Sequence, residues 1–146
     1  MKTKIINQNP KTIALICDTG DEVLSALKKT AEEFCLAACH FTAIGAFQEV
    51  TLGFFDLTKK EYKKTVVTEQ LEVLSLIGDI SLDGDKRQIH AHVVVGRADM
   101  TTRGGHLING VVRPTLEVIL VESPTHLKRR HNAEVGLALI DLDASS

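Results

Sequence analysis

Aromatic residues are scarce in this chain: they make up 4% of 146 residues, with no Trp and a single Tyr. A stacking platform for single-stranded nucleic acid has little to be built from. Long apolar runs are also missing. No stretch approaches the roughly 20 residues that a membrane-spanning helix requires, so no membrane association is expected. Met1–Lys11 lacks the apolar segment of a secretory signal, and a cytoplasmic location is the expectation. The three cysteines, Cys17, Cys35 and Cys39, are odd in number and show no CxxC spacing. They read as small buried hydrophobes rather than a disulfide framework, with Cys35 and Cys39, four apart, left as an alternative metal or redox pair on a helix face. An excess of positive charge is absent too, since 17 Lys and Arg against 19 Asp and Glu leave a net charge of −2. That balance counts against a strongly basic nucleic-acid binder.

What is present is an ordinary globular composition, 44% hydrophobic and 25% charged, in a length typical of one domain. We expect a single domain over residues 1–146. Lys11–Cys17 reads as a strand with the apolar run Ile13, Ala14, Leu15 and Ile16. Asp18-Thr19-Gly20-Asp21 breaks it. Thr19 and Glu22 match a capping box, with Asp21 as a competing cap. From about Asp21 to Ala38, Val23, Leu24, Leu27, Ala31, Phe34, Cys35 and Ala38 recur at three- and four-residue intervals, which predicts one long helix near the N-terminus.

Beyond Cys39 the apolar period is two. Strands are expected at Phe41–Ile44, Gln48–Phe55, Tyr62–Thr68, Leu71–Ile77, Gln88–Val95, Leu116–Val121 and Val135–Leu142, with an interruption at Gly45 and a tight turn at Asp83-Gly84. One helix and about seven later strands give an α+β fold: a mainly antiparallel, twisted β-sheet with the helix packed on it.

The chemistry concentrates in Gln88–Gly96 and Arg103–His106. Side chains alternate along a strand, so His90 and His92 of His90-Ala91-His92 share a face, about 6.6 Å apart along the chain. His106 follows Gly104-Gly105, whose freedom lets the backbone bring a third imidazole back. Three histidines with an open fourth position make a catalytic type of zinc site. The competing reading is a half-exposed strand whose outward residues happen to be histidines. A cupin-like site would want a glutamate shortly after the second histidine, and Val93-Val94-Val95-Gly96-Arg97 supplies none.

Leu71–Gly78, His90-Ala91-His92, Gly104-Gly105-His106-Leu107, Val112 and Pro114–Val118, with Gly45-Ala46 upstream, together resemble the plants-and-prokaryotes conserved (PPC) domain, over roughly Lys11 to Leu142. The resemblance implies an α+β fold, a homotrimer, and a histidine cluster able to hold zinc or another divalent transition metal. Carried over by position, that cluster is His90, His92 and His106. Glu117 is a candidate second-shell orienter or general base, or simply an exposed strand carboxylate. Arg103, Asn109 and Arg113 are pocket candidates for an anionic small molecule.

The family is also named for DNA binding, so a DNA-binding or regulatory role is the alternative. Plant members carry an Arg-Gly-Arg hook, which this chain lacks. Its nucleic-acid candidates are two basic clusters: Lys59, Lys60, Lys63 and Lys64, and the segment from His126 to His131 with Lys128, Arg129 and Arg130. Given the overall acidity, a solvated hairpin turn and a surface loop are the favoured reading of both. No nucleophile–base pair and no phosphate-binding loop is readable, so the sequence points to a site and leaves open whether it is an enzyme's.

Overall fold

The computed structural model describes residues 1–123 and 127–145. Among them are nine strands and one helix: β1 Lys2–Gln8, β2 Lys11–Asp18, α1 Val23–Glu33, β3 Cys39–Asp56, β4 Glu61–Val67, β5 Leu71–Asp83, β6 Lys86–Gly96, β7 Thr102–Glu122, β8 Lys128–Asn132 and β9 Leu137–Asp141. The fold is α+β, and all pairings but one are antiparallel, the parallel one joining β5 to β8.

β3 pairs with β5 and β7, and β6 pairs with β5 and β7, so these four strands close on one another. Alternation then separates two faces. Phe41, Ala43, Leu76, Ala91, Val93, Val95 and Leu107 point into the core and are buried. Their neighbours Thr42, Ile77, His92 and Val94 point outward and are exposed. Helix α1 adds Val23, Ala26, Leu27 and Ala31 to the same core.

The helix is shorter than the expected 21–38 and follows two strands. It runs 11 residues. Phe34 caps it, and Cys35 turns into the left-handed region at φ 53°, which ends the helical hydrogen-bond ladder. The apolar stripe continues past that point because Leu36 and Ala38 are buried from a non-helical backbone. At its start, Glu22 caps with its own carboxylate, accepting from the Leu24 and Ser25 N–H groups at 3.0 and 2.7 Å. Asp21 instead accepts from the Asp18 N–H, and the Thr19 hydroxyl donates to the Pro114 carbonyl.

The sheet is larger than expected. β1 is a polar edge strand with little core contact, so apolar alternation does not reveal it. The two segments expected on either side of Gly45 are one strand, which absorbs a bulge there. β7 likewise starts 14 residues before Leu116 and carries His106 and Glu117 on one strand. Lys128–Asn132, read above as a surface loop, pairs with β9 and β5. His126, at the head of that basic cluster, lies outside the described residues.

Candidate metal centre

His90 and His92 lie on β6 and His106 on β7. The β6–β7 register sets His92 directly opposite His106, so both project from the same outer face, and His90 follows two residues along. One ligand nitrogen from each of the three lies within 4.8 Å of the others. Nε2 of His90 and Nε2 of His92 are 3.2 Å apart. Two nitrogens bound at the usual ~2.05 Å to one tetrahedral ion would sit about 3.3 Å apart, so the spacing suits a shared ion. Nδ1 of His106 is buried and has no hydrogen-bond partner. A buried nitrogen left unmatched is costly. The donor set thus fits a borderline-soft divalent metal.

Burial, then the charges of His90 and His92, push the His106 imidazole down to about 4. His90 is also lowered, first by burial and then by the Arg129 cation, with Asp79 opposing the shift. These two rings are therefore neutral at neutral pH, the form in which histidine binds a metal.

Two residues that sequence reasoning missed hold the rings. Tyr62 of β4 stacks on His106, with ring centroids 4.7 Å apart and planes at 27°, and Phe55 meets Tyr62 edge-on at 5.0 Å. Gly53, opposite His106 on β3, makes room: a Cβ there would lie 2.8 Å from Tyr62. Asp79 of β5 sits opposite His90, its Oδ2 3.8 Å from His90 Nδ1. Parity along Leu71–Asp83 puts Asp79 on the same face as Ile77. The sequence-expected strand ended at Ile77, and the signal was lost with it.

His90 and His92 border a cleft of about 390 Å³, lined also by His40, Phe41, Thr42, Ile77 and Asp79 on its β3–β5 side, and His106 lies outside that lining. The other candidates fall elsewhere. Glu117 is exposed and lines a neighbouring apolar groove with Ile16, Ile44, Leu74 and Ile119. Arg103 and Lys63 line a separate cavity with Leu52 and Phe54. Asn109 is half-buried opposite Thr51, and Arg113 is exposed. In the basic clusters, Lys59 and Lys64 are exposed and Lys128 lies at the start of β8. Lys60 donates to the Ala133 carbonyl, Arg130 pairs with Asp141 at 2.9 Å, and the Arg129 side chain is 6% exposed.

Residues 6–124 match the model of the Plants and Prokaryotes Conserved (PCC) domain. A solved structure from Bacteroides thetaiotaomicron VPI-5482, of a protein provisionally named as DNA-binding, superposes with a TM-score of 0.92 at 27% identity and covers 97% of both chains. The metal-containing protein of Archaeoglobus fulgidus superposes with a TM-score of 0.82 at 31% identity, covering 96% of each chain. Among curated proteins, the bifunctional protein GlmU of Synechococcus sp. (strain JA-2-3B'a(2-13)) is 31% identical over 109 residues, which is 73% of this chain. The chain spans 16% of the length of that relative.

Proposed function

Since the chain belongs to the Plants and Prokaryotes Conserved domain family, we propose that it is a single-domain, homotrimeric member that holds a divalent transition metal, zinc in the first place, on His90, His92 and His106. The cleft bordered by His90 and His92 is where a small molecule would bind. The observation that carries this reading is the convergence of one ring nitrogen from each of the three histidines within 4.8 Å. The metal content of the Archaeoglobus fulgidus relative supports it.

When bound, the ion would supply Lewis acidity toward an oxygen of the cleft ligand. The chain's own residues do the rest. Tyr62 and Gly53 set the plane of His106. Phe41 and Ile77 give the cleft apolar lining on its other side. Glu117 lines the neighbouring groove.

The DNA-binding alternative has less behind it. Arg129, Arg130 and Lys60 are each engaged within the chain, which leaves Lys59, Lys63, Lys64 and Lys128 as the phosphate-binding candidates of the two clusters.

Tag-free, chelator-treated protein titrated with zinc against a chromophoric competitor tests the metal reading. We expect one ion per chain, and loss of binding in His92→Ala and in His106→Ala with the fold retained by circular dichroism. A wild-type protein that takes up no zinc, cobalt or nickel would overturn it.

A further inference from the structure

The C-terminal hairpin β8–β9 lies beyond the residues that match the family model, yet one of its side chains reaches to the edge of the histidine cluster. Arg129 donates from Nη2 to Asp79 Oδ1 at 2.8 Å, from Nε to the Ser81 hydroxyl at 2.7 Å and from Nη1 to the Ala138 carbonyl at 2.9 Å. The Ser81 hydroxyl in turn donates to the same Asp79 Oδ1 at 3.1 Å. One oxygen of the carboxylate is thus used twice, and its direction is fixed by an arginine whose side chain is 6% exposed. The other oxygen, Oδ2, is left facing His90 Nδ1 across 3.8 Å.

That arrangement assigns the two nitrogens of His90 different tasks. Nδ1 faces the carboxylate and Nε2 faces His92 Nε2 at 3.2 Å. At 3.8 Å the Asp79 contact is an electrostatic one, longer than a hydrogen bond. The terminal torsion of a histidine is soft, so a modest ring rotation closes the distance at small cost. A carboxylate that accepts the Nδ1 proton fixes the tautomer, aims Nε2 outward and makes it a better donor to a metal. Arg129 holds that carboxylate in place by bonding Asp79 Oδ1 and the Ser81 hydroxyl from two nitrogens of one planar group, a spread of donors that a lysine cannot reproduce.

We propose that Asp79 and Arg129 are positioning residues for His90: the C-terminal hairpin, through Arg129, holds Asp79 so that His90 presents Nε2 to the metal site. The proposal rests on the metal reading for its consequence in affinity, but its effect on the His90 tautomer exists without any metal. Two readouts therefore test it. In metal-free protein, nitrogen NMR of the imidazoles reports the His90 tautomer, and competition titration reports zinc affinity.

In the wild type we expect His90 protonated on Nδ1. We expect Asp79→Asn to shift His90 toward a mixture of tautomers and to weaken zinc binding by about 10- to 100-fold. Arg129→Met should act in the same direction. Should loss of its salt bridge unfold the hairpin, Arg129→Lys, which retains the charge without that spread of donors, serves in its place and should give an intermediate loss. Folded variants with unchanged tautomer and unchanged zinc affinity would overturn the proposal while leaving the metal reading standing. Wild-type protein with His90 protonated on Nε2 would overturn it outright. Absence of zinc binding in a wild type that does show the Nδ1 tautomer, lost in Asp79→Asn, would sink the metal reading and uphold the positioning role.

Discussion

At the scale of single residues, burial decides reactivity. Cys17 and Cys39 are buried, and loss of hydration pushes each thiol up to about 12, whereas Cys35, expected to be buried, is exposed at the turn that ends α1, and with Cys39 on β3 the two share no helix face. The consequence for stability has a definite sign. The unfolded chain's thiols ionise near their ordinary value of 9, while the folded ones stay protonated until about 12. Stability from these two groups is therefore full below pH 9 and is lost as pH rises from 9 toward 12. We expect iodoacetamide at pH 8 to label Cys35 alone in native protein and all three thiols in denaturant. We also expect the melting temperature to fall across that alkaline window, less steeply in Cys39→Ala than in the wild type. Rapid native labelling of all three would contradict the burial on which the argument stands.

At the scale of elements, the backbone matters more than the caps. Gly45 sits at the bulge of β3 with φ +148°, and a Cβ there would lie 2.4 Å from the Thr115 carbonyl oxygen and 2.8 Å from Leu116 Cα. Both obstacles are backbone of the paired strand, so nothing flexible can yield. Glu22 provides a smaller and separable term through its two hydrogen bonds to the first turn of α1. We expect Glu22→Ala to cost about 1 kcal/mol, as helix caps commonly do. Gly45→Ala should cost about 3 kcal/mol or more, because it adds a backbone clash to a strained conformation. Urea denaturation of both variants checks the order: equal midpoints would show that β3 can shift to accept the methyl group.

At the scale of the whole molecule, the outer face that carries the histidines also carries a band of exposed apolar side chains. Ile44, Leu74 and Ile77 are 59%, 53% and 55% exposed. Ile119 and Val94 border them at 39% and 41% exposure. Such a patch on a water-facing sheet is costly unless it is covered. In the proposed homotrimer a second copy covers it. Light scattering should give three times the 16.0 kDa chain mass, 3 × 16.0 = 48 kDa. The double variant Ile44→Glu with Ile77→Glu should shift that mass to the monomer, since like charges introduced into a packed face repel and are hard to desolvate. A wild-type monomer, or a double variant that still assembles, would refute this placement of the interface.

Local pattern determined a good deal on its own. Period-two alternation marked the strands, and parity within His90-Ala91-His92 put two imidazoles on one face, because side-chain direction in a strand depends only on position. The Gly-Gly step flagged His106 as able to join them. Resemblance of the motifs to a known family agreed with the α+β class and the histidine set read from the pattern. The tertiary structure alone decided what the local signal cannot encode. The helix ends at Glu33 although its apolar stripe continues, because buried positions past Cys35 are reached from an irregular backbone. Tyr62 reaches His106 through strand pairing across a glycine, and Arg129 reaches Asp79, 50 residues away, through the parallel contact of β8 with β5. Glu117, on the same strand as His106, lines a different groove, because 11 residues of extended chain carry it well past the three rings. Long-range register, which no window of sequence contains, selects the neighbours of each ligand. It is there that the candidate site acquires its supports.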